Sequence, residues 1–131
     1  MRRDVLAAVV ALALWPSLAA AVEVSVFQLK TTRDLLNVCT TPESDAVHKE
    51  AIHYCVGFLT GVVGYHNALS EHKDMKRLIC YPEGTTREDG VRVFIAWAQA
   101  RQADSKAMNE NPVIGLMRSL GAQWPCKGGQ R

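Results

Sequence analysis

The stretch IHYCVGFLTGVVGYHNAL, residues 52–69, decides the predicted fold because it carries two helical patterns at once. One pattern recurs every three or four positions, the period expected of a helix that buries one side in a core. Its members are Ile52, Cys55, Leu59, Val62, His66 and Leu69. We predict that this helix begins at Ser44 or Asp45 and ends near His72.

The second pattern is a row of small residues on one face of the same helix. Its members are Gly57, Gly61, Gly64 and Ala68, spaced by four, three and four positions. A glycine inside a helix costs about 1 kcal/mol relative to alanine. We therefore expect something to pack closely against this glycine face. The sequence leaves open whether that is another helix of the same chain, a second copy or a docked partner.

Two shorter helices are predicted on either side of the long one. Thr32 is the expected N-cap of a helix over residues 33–39. Thr85 and Glu88 match the S/T-x-x-E capping box, so a helix is expected to begin there and to end near residue 102 or 103.

The last part of the domain is predicted to hold one more helix. Residues 104–111 are polar and are predicted as a connection. Asn111 followed by Pro112 is a favourable helix start, and this helix should end near Ala122, with Val113, Leu116, Met117 and Leu120 facing the core. The expected fold is all-α, a compact bundle of about four helices.

The first 21 residues have the features of a secretory signal. Arg2 and Arg3 precede an apolar run over residues 5–14, and residues 19–21 are alanines that a signal peptidase accepts. A membrane span needs about 20 apolar residues, so no stable anchor is expected after cleavage near Ala21. Residues 22–30 are predicted as an extended arm, residues 31–126 as one helical domain, and residues 127–131 as a loose tail.

Four cysteines follow the predicted signal: Cys39, Cys55, Cys80 and Cys126. An even number in a short exported chain is typical of a disulfide framework. Four cysteines allow three pairings, and the sequence alone does not choose among them. We favour Cys39–Cys55, which joins two successive helices, and Cys80–Cys126, which ties the end of the domain to its middle.

Charge and motifs argue against several classes of function. The net charge of +2 falls to +1 when Arg2, Arg3 and Asp4 are removed, which is too little for a nucleic-acid-binding protein. The histidines, at 48, 53, 66 and 72, form no H-x-x-x-H pair, and no serine lies in a G-x-S-x-G turn. We expect no catalytic residue, no metal and no cofactor, and we interpret the chain as a binding protein rather than an enzyme.

Three motifs in order resemble a known family. They are YCVGFLTGV at 54–62, CYPEGTT at 80–86, and WPC at 124–126. The corresponding family patterns are Y-C-x-G-[FY]-x-x-G-V, C-x-P-x-G-x-T and an aromatic residue before Pro-Cys. The chain is similar in this way to the Rap/Tai immunity proteins over about residues 31–126.

The resemblance implies a periplasmic protein that binds and inhibits a peptidoglycan amidase effector of type VI secretion. It also implies a homodimer, for which the glycine face would be suitable. The alternatives are an exported structural or chaperone-like helical protein without a toxin partner, and a small enzyme or metal carrier that uses the histidines.

The resemblance does not identify the residues that contact the effector. We take the charged segments outside the core pattern as candidates because partner contacts concentrate on exposed loops. They are Glu71, Lys73, Asp74, Lys76 and Arg77 in the first segment, and Asp104, Lys106 and Glu110 in the second.

Overall fold

The computed structural model describes residues 27–72 and 75–127. They form five helices: α1 (Thr32–Cys39), α2 (His48–Ser70), α3 (Arg87–Gln99), α4 (Ser105–Asn109) and α5 (Pro112–Gln123). The short α1 lies at the centre and contacts each of the other four. The prediction of an all-α bundle with two disulfides is confirmed, with five helices rather than about four.

The core forms around α1, whose apolar side chains are almost fully buried. Leu35 and Val38 are each 1% exposed. Phe94 of α3 and Leu116 of α5 close the same core. Burial of this kind stabilises a fold by roughly 1.5–3 kcal/mol for each large apolar side chain.

Two predicted helix starts are one residue away from the observed ones. Thr31, not Thr32, caps α1, with its hydroxyl accepting the Asp34 N–H at 3.2 Å. Thr86, not Thr85, caps α3. In each place two threonines are adjacent, and the one chosen has an aspartate three residues later that accepts its backbone N–H.

The predicted polar connection over residues 104–111 is wrong, because α4 lies inside it. The Asp104 side chain accepts the Ala107 N–H and starts the helix. Met108 is its one buried side chain and is 0% exposed. A helix of five residues carries too little apolar pattern to be detected by periodicity.

The ends of the longer helices also differ from the prediction. α2 begins at His48 rather than at Ser44 or Asp45, because residues 42–48 form turns in which Asp45 and His48 donate N–H groups to earlier carbonyls. α3 ends at Gln99 rather than near residue 102 or 103. α5 begins as predicted, with the Asn111 side chain accepting the Val113 N–H at 2.9 Å.

The two favoured disulfides are the ones observed. Cys39–Cys55 joins the end of α1 to α2 across 16 positions. Cys80–Cys126 closes 46 positions and lies beside an isolated bridge between Ile79 and Pro125. The chain that follows α5 is therefore fastened to the chain that follows α2.

A close contact between α1 and α5 depends on a glycine. Thr32 is fully buried and donates its backbone N–H to the Glu110 carbonyl at 2.8 Å. A Cβ built on Gly115 would lie 2.5 Å from Thr32 Cγ2 and 2.9 Å from Thr32 Cβ. Only glycine fits at position 115 with these two helices so close.

Several sequence predictions fall outside the described residues. These are the signal over residues 1–21, residues 22–26 of the arm, partner candidates Lys73 and Asp74, and residues 128–131 of the tail. At the described end of the arm, Phe27 packs edge-to-face on Tyr54 of α2 with ring centroids 5.6 Å apart. None of the described helices combines the length and the hydropathy that a membrane crossing requires.

Candidate functional site

The glycine face of α2 is exposed to solvent. A Cβ built on Gly57, Gly61 or Gly64 would meet no atom of the described chain within 4 Å. Ala68 is also exposed. Within residues 27–72 and 75–127, therefore, no helix packs against this face.

Two grooves flank the glycine face, one on each side of α2. The first has a volume of about 620 Å³ and lies between α2, the start of α3 and the chain around Tyr81 and Trp124. Gly64 lines it. The Tyr81 and Trp124 rings meet edge-to-face at 6.5 Å, and Asn67 donates its side-chain N–H to the Tyr81 hydroxyl at 2.6 Å.

The second groove is almost entirely apolar; we call it the α2–α5 groove. It has a volume of about 450 Å³ and lies between the second half of α2, residues 75–78 and the start of α5. Gly61, Tyr65, Met75, Lys76, Leu78, Val113 and Met117 are among the residues that line it. Val113 was predicted to face the core, but it is 40% exposed at the mouth of this groove.

Buried His66 fixes one wall of the α2–α5 groove. Its Nε2 accepts the Leu78 backbone N–H at 3.0 Å, and its side chain is 7% exposed. The Ser70 hydroxyl lies 3.4 Å from the same nitrogen and donates to the His66 carbonyl at 2.6 Å. The prediction that His66 lies on the buried side of this helix is confirmed, and its ring nitrogen holds the following segment against α2.

The charged candidates from the first predicted segment lie at different depths. Glu71 and Lys76 are exposed, and Lys76 lines the α2–α5 groove. Arg77 is half-buried, and its Nε makes no hydrogen bond to the described residues.

The second predicted segment lies around a smaller hollow of about 190 Å³. Asp104, Lys106 and Glu110 line it together with Trp97 and Arg101, whose guanidinium stacks over the indole at 4.5 Å. Asp104 also caps α4, and Glu110 pairs with Arg118 at 2.9 Å. The carboxylates of Asp104 and Glu110 therefore already have a structural role, the first in capping α4 and the second in an ion pair.

The sequence did not point to Tyr65 or Leu78, although both are prominent surface residues. Tyr65 is 69% exposed and Leu78 is 55% exposed. Helical periodicity finds the buried side of α2, but it does not show which apolar residues on the other sides remain uncovered. Leu78 lies outside any helix, where no periodic signal exists.

Among the residues that the structure describes, one carboxyl group has a clearly shifted pKa. Thr86 donates its backbone N–H and its hydroxyl to the Asp89 carboxylate, each at 2.8 Å, and these bonds lower the pKa of Asp89 from 3.8. Arg92 adds a smaller effect in the same direction. This is a helix-capping arrangement and not an acid–base site, and the described residues hold no group of three His, Cys, Asp or Glu suited to a metal ion.

Comparison with known proteins gives one match. A family model for the Rap1a immunity proteins matches residues 31–126, which begin at the Thr31 cap of α1 and end at Cys126 of the second disulfide. No curated protein and no solved structure matches the chain. Because the match covers all five helices and both disulfides, the chain belongs to the family of Rap1a immunity proteins.

Proposed function

We propose that this protein is exported to the periplasm, where it binds and inhibits a peptidoglycan amidase effector delivered by type VI secretion. The observation that carries the proposal is the family match over residues 31–126, since an immunity protein acts on a secreted effector. In this proposal the protein blocks the effector by occupying its cleft. It performs no catalysis and needs no metal or cofactor.

Two properties of the chain support export. All four cysteines are paired, and disulfides persist in oxidising compartments such as the periplasm. Residues 1–21 have the charge and apolar pattern of a secretory signal. A protein with these properties meets an amidase where its substrate, the cell wall, is located.

A homodimer remains a prediction. The uncovered glycine face is a suitable surface for one, because glycines allow two helix backbones to approach closely. Light scattering on the purified protein would give the mass directly. A monomer at micromolar concentration would contradict this part of the proposal.

The test of the proposed function is a contact-killing competition. A strain lacking this gene is grown against its parent, with the parent's type VI secretion system either active or disabled. We expect the deletion strain to be killed only when the system is active. Survival beside an active parent would contradict the immunity function.

Complementation of the deletion strain tests whether the protein must be exported in order to protect. The deletion strain receives either the full chain or a chain lacking residues 2–21. Only the full chain should restore survival, since the proposed effector acts outside the cytoplasm. Equal rescue by both forms would contradict the periplasmic site of action. Muropeptide analysis of the killed cells should show cleaved amide bonds in the peptide stems, at their attachment to the sugar or in their cross-links. If all these amide bonds are intact, the effector is not an amidase.

A further inference from the structure

Exposed apolar side chains are concentrated at the α2–α5 groove. Among the described residues, six large apolar or aromatic side chains are exposed, and four of these line this one groove. They are Tyr65, Met75, Leu78 and Val113, which are between 40% and 69% exposed. Proteins rarely expose contiguous apolar surface of this kind unless another molecule covers it.

The groove is a formed feature of the fold and not a gap between loosely placed side chains. Residues 75–78 form one wall, and the bond from the Leu78 N–H to buried His66 holds that wall against α2. Val113 lies at the first turn of α5, which Asn111 caps. Binding an occupant therefore requires little rearrangement, which keeps the entropic cost low.

The charge at the groove indicates the chemistry of its occupant. Lys76 is the one charged side chain among the described residues that line it, and it is exposed. A complementary occupant carries an apolar side chain for the groove and a carboxylate for Lys76. A second copy centred on this groove fits less well, because a two-fold axis through the groove would place one concave surface against the same concave surface.

We propose that the α2–α5 groove is the docking site for the effector, receiving an apolar segment of it next to an acidic residue. This inference rests on the proposed function and deepens it by naming the surface and the chemistry of the partner. It differs from the charged segments predicted from the sequence, because Lys76 is the one member among their described residues that lines the groove.

Val113 and Ile114 provide a matched pair of variants. They are neighbours in the first turn of α5, both β-branched, and 40% and 47% exposed. Only Val113 lines the groove. Val113→Gln should lose protection in the contact-killing competition, whereas Ile114→Gln should protect as well as the parent chain. Both variants should accumulate equally and unfold at similar temperatures, because each replaces an exposed side chain.

Lysine variants test the charge in the same way. Lys76→Gln should weaken protection, and Lys49→Gln, at an exposed position near the start of α2, should not. Loss in both lysine variants, or in neither, would overturn the assignment of an acidic contact to Lys76.

A direct binding measurement does not depend on the effector. The fluorescent dye anilinonaphthalene sulfonate has an apolar ring system and an anionic group, so it has the same chemistry as the proposed occupant. We expect saturable binding to the folded protein, weakened about tenfold by Val113→Gln or Lys76→Gln and unchanged by the two control variants.

The outcomes separate this inference from the proposed function. If the parent chain gives no protection, the proposed function fails, while the dye titration still tests the groove. If the parent chain protects and Val113→Gln protects equally, the groove is not the docking site. If Val113→Gln changes the molecular mass in light scattering, the occupant is a second copy and the effector assignment is overturned.

Discussion

Single residues decide how closely the helices of this protein approach one another. Gly115 is buried on α5 against Thr32 of α1, whereas Gly57, Gly61 and Gly64 are exposed on α2 with no neighbouring atom near their missing Cβ. The same residue type thus has two opposite roles. At position 115 a side chain would collide with a neighbour, and on α2 it would only fill solvent.

Gly115→Ala should destabilise the protein by about 1–3 kcal/mol, because the added methyl group would overlap the stiff, β-branched side chain of Thr32. Urea unfolding measures the change. Gly57→Ala is the control and should stabilise by up to about 1 kcal/mol, since alanine is the better helix former. Thr32→Ala removes both Oγ1 and Cγ2, the two atoms that would lie closest to the added methyl group, and should reduce the cost of Gly115→Ala. Equal effects of the two glycine variants would contradict the close contact.

Asp89 should make stability depend on acidity. Its pKa is lower in the folded state than the ordinary 3.8, so its contribution is present above 3.8 and is lost as the pH falls through the folded-state value. Asp89→Asn has no such titration. The parent chain should therefore unfold at a higher temperature than Asp89→Asn at neutral pH, and the gap should close in acid.

Two further variants test why the pKa of Asp89 is lowered, one at Thr86 and one at Arg92. In each background, the measured quantity is the difference in unfolding temperature between the protein with Asp89 and its Asp89→Asn variant. Thr86→Ala removes the hydroxyl bond to the Asp89 carboxylate and should narrow this temperature gap more than Arg92→Gln, because the hydroxyl bond lowers the pKa of Asp89 more than the Arg92 charge does. The bond from the Thr86 backbone N–H, the largest cause, remains in both variants. A gap that stays constant from neutral to acid pH would show that the Asp89 charge is unimportant.

Residue-level detail was the hardest part to predict from the sequence. The sequence has adjacent threonines at 31–32 and at 85–86, and in each pair we predicted the wrong one as the N-cap. The threonine that caps the helix is the one with an aspartate three residues later. Gly115 had no sequence signal, because its importance comes from a neighbour 83 positions earlier in the chain.

The secondary-structure elements were predictable where they are long. α2 was found from its two patterns, and α5 from its cap and its proline, but α4 was missed because its stability comes from one cap and one buried methionine.

Disulfides hold together parts of the chain that no single helix connects. Cys80–Cys126 holds residues 79–80 beside residues 124–126, where Cys80 also donates its N–H to the Trp124 carbonyl at 2.9 Å.

Replacing Cys80 and Cys126 together by serine should cost about 4 kcal/mol, as expected for closure of a loop of 46 residues. Glu71→Ala, at an exposed position, should change stability by well under 1 kcal/mol. Thermal unfolding of the oxidised proteins compares the two. If the Cys80/Cys126 double variant unfolds at the same temperature as Glu71→Ala, this disulfide does not stabilise the fold.

At the scale of the whole molecule, the sequence predicted the scaffold better than the docking surface. The cysteines, glycines and prolines that carry the family motifs also fix turns and cross-links, so they identify the fold directly. The α2–α5 groove is formed by the second half of α2, the segment that follows it, and the start of α5, which lies far along the chain. Apolar residues at its mouth, such as Val113, have the same spacing as core residues.

The intact mass of the protein isolated after export should match residues 22–131 minus four hydrogens. Cleavage near Ala21 accounts for the start, and two disulfides account for the hydrogens. Treatment with iodoacetamide should add nothing before reduction and four groups after it. Four reactive thiols in the unreduced protein would contradict the disulfide framework, and a mass that includes residues 1–21 would contradict cleavage.

The contact between α1 and α5 also sets an order in time. Thr32 is synthesised early, but the Glu110 carbonyl that accepts its N–H lies 78 residues later. At typical rates of translation, roughly 4 to 16 seconds separate the two. During that interval the central helix has no α5 to pack against, so the core cannot close. In the proposed export, translocation of the chain would begin within that delay, before the fold can close.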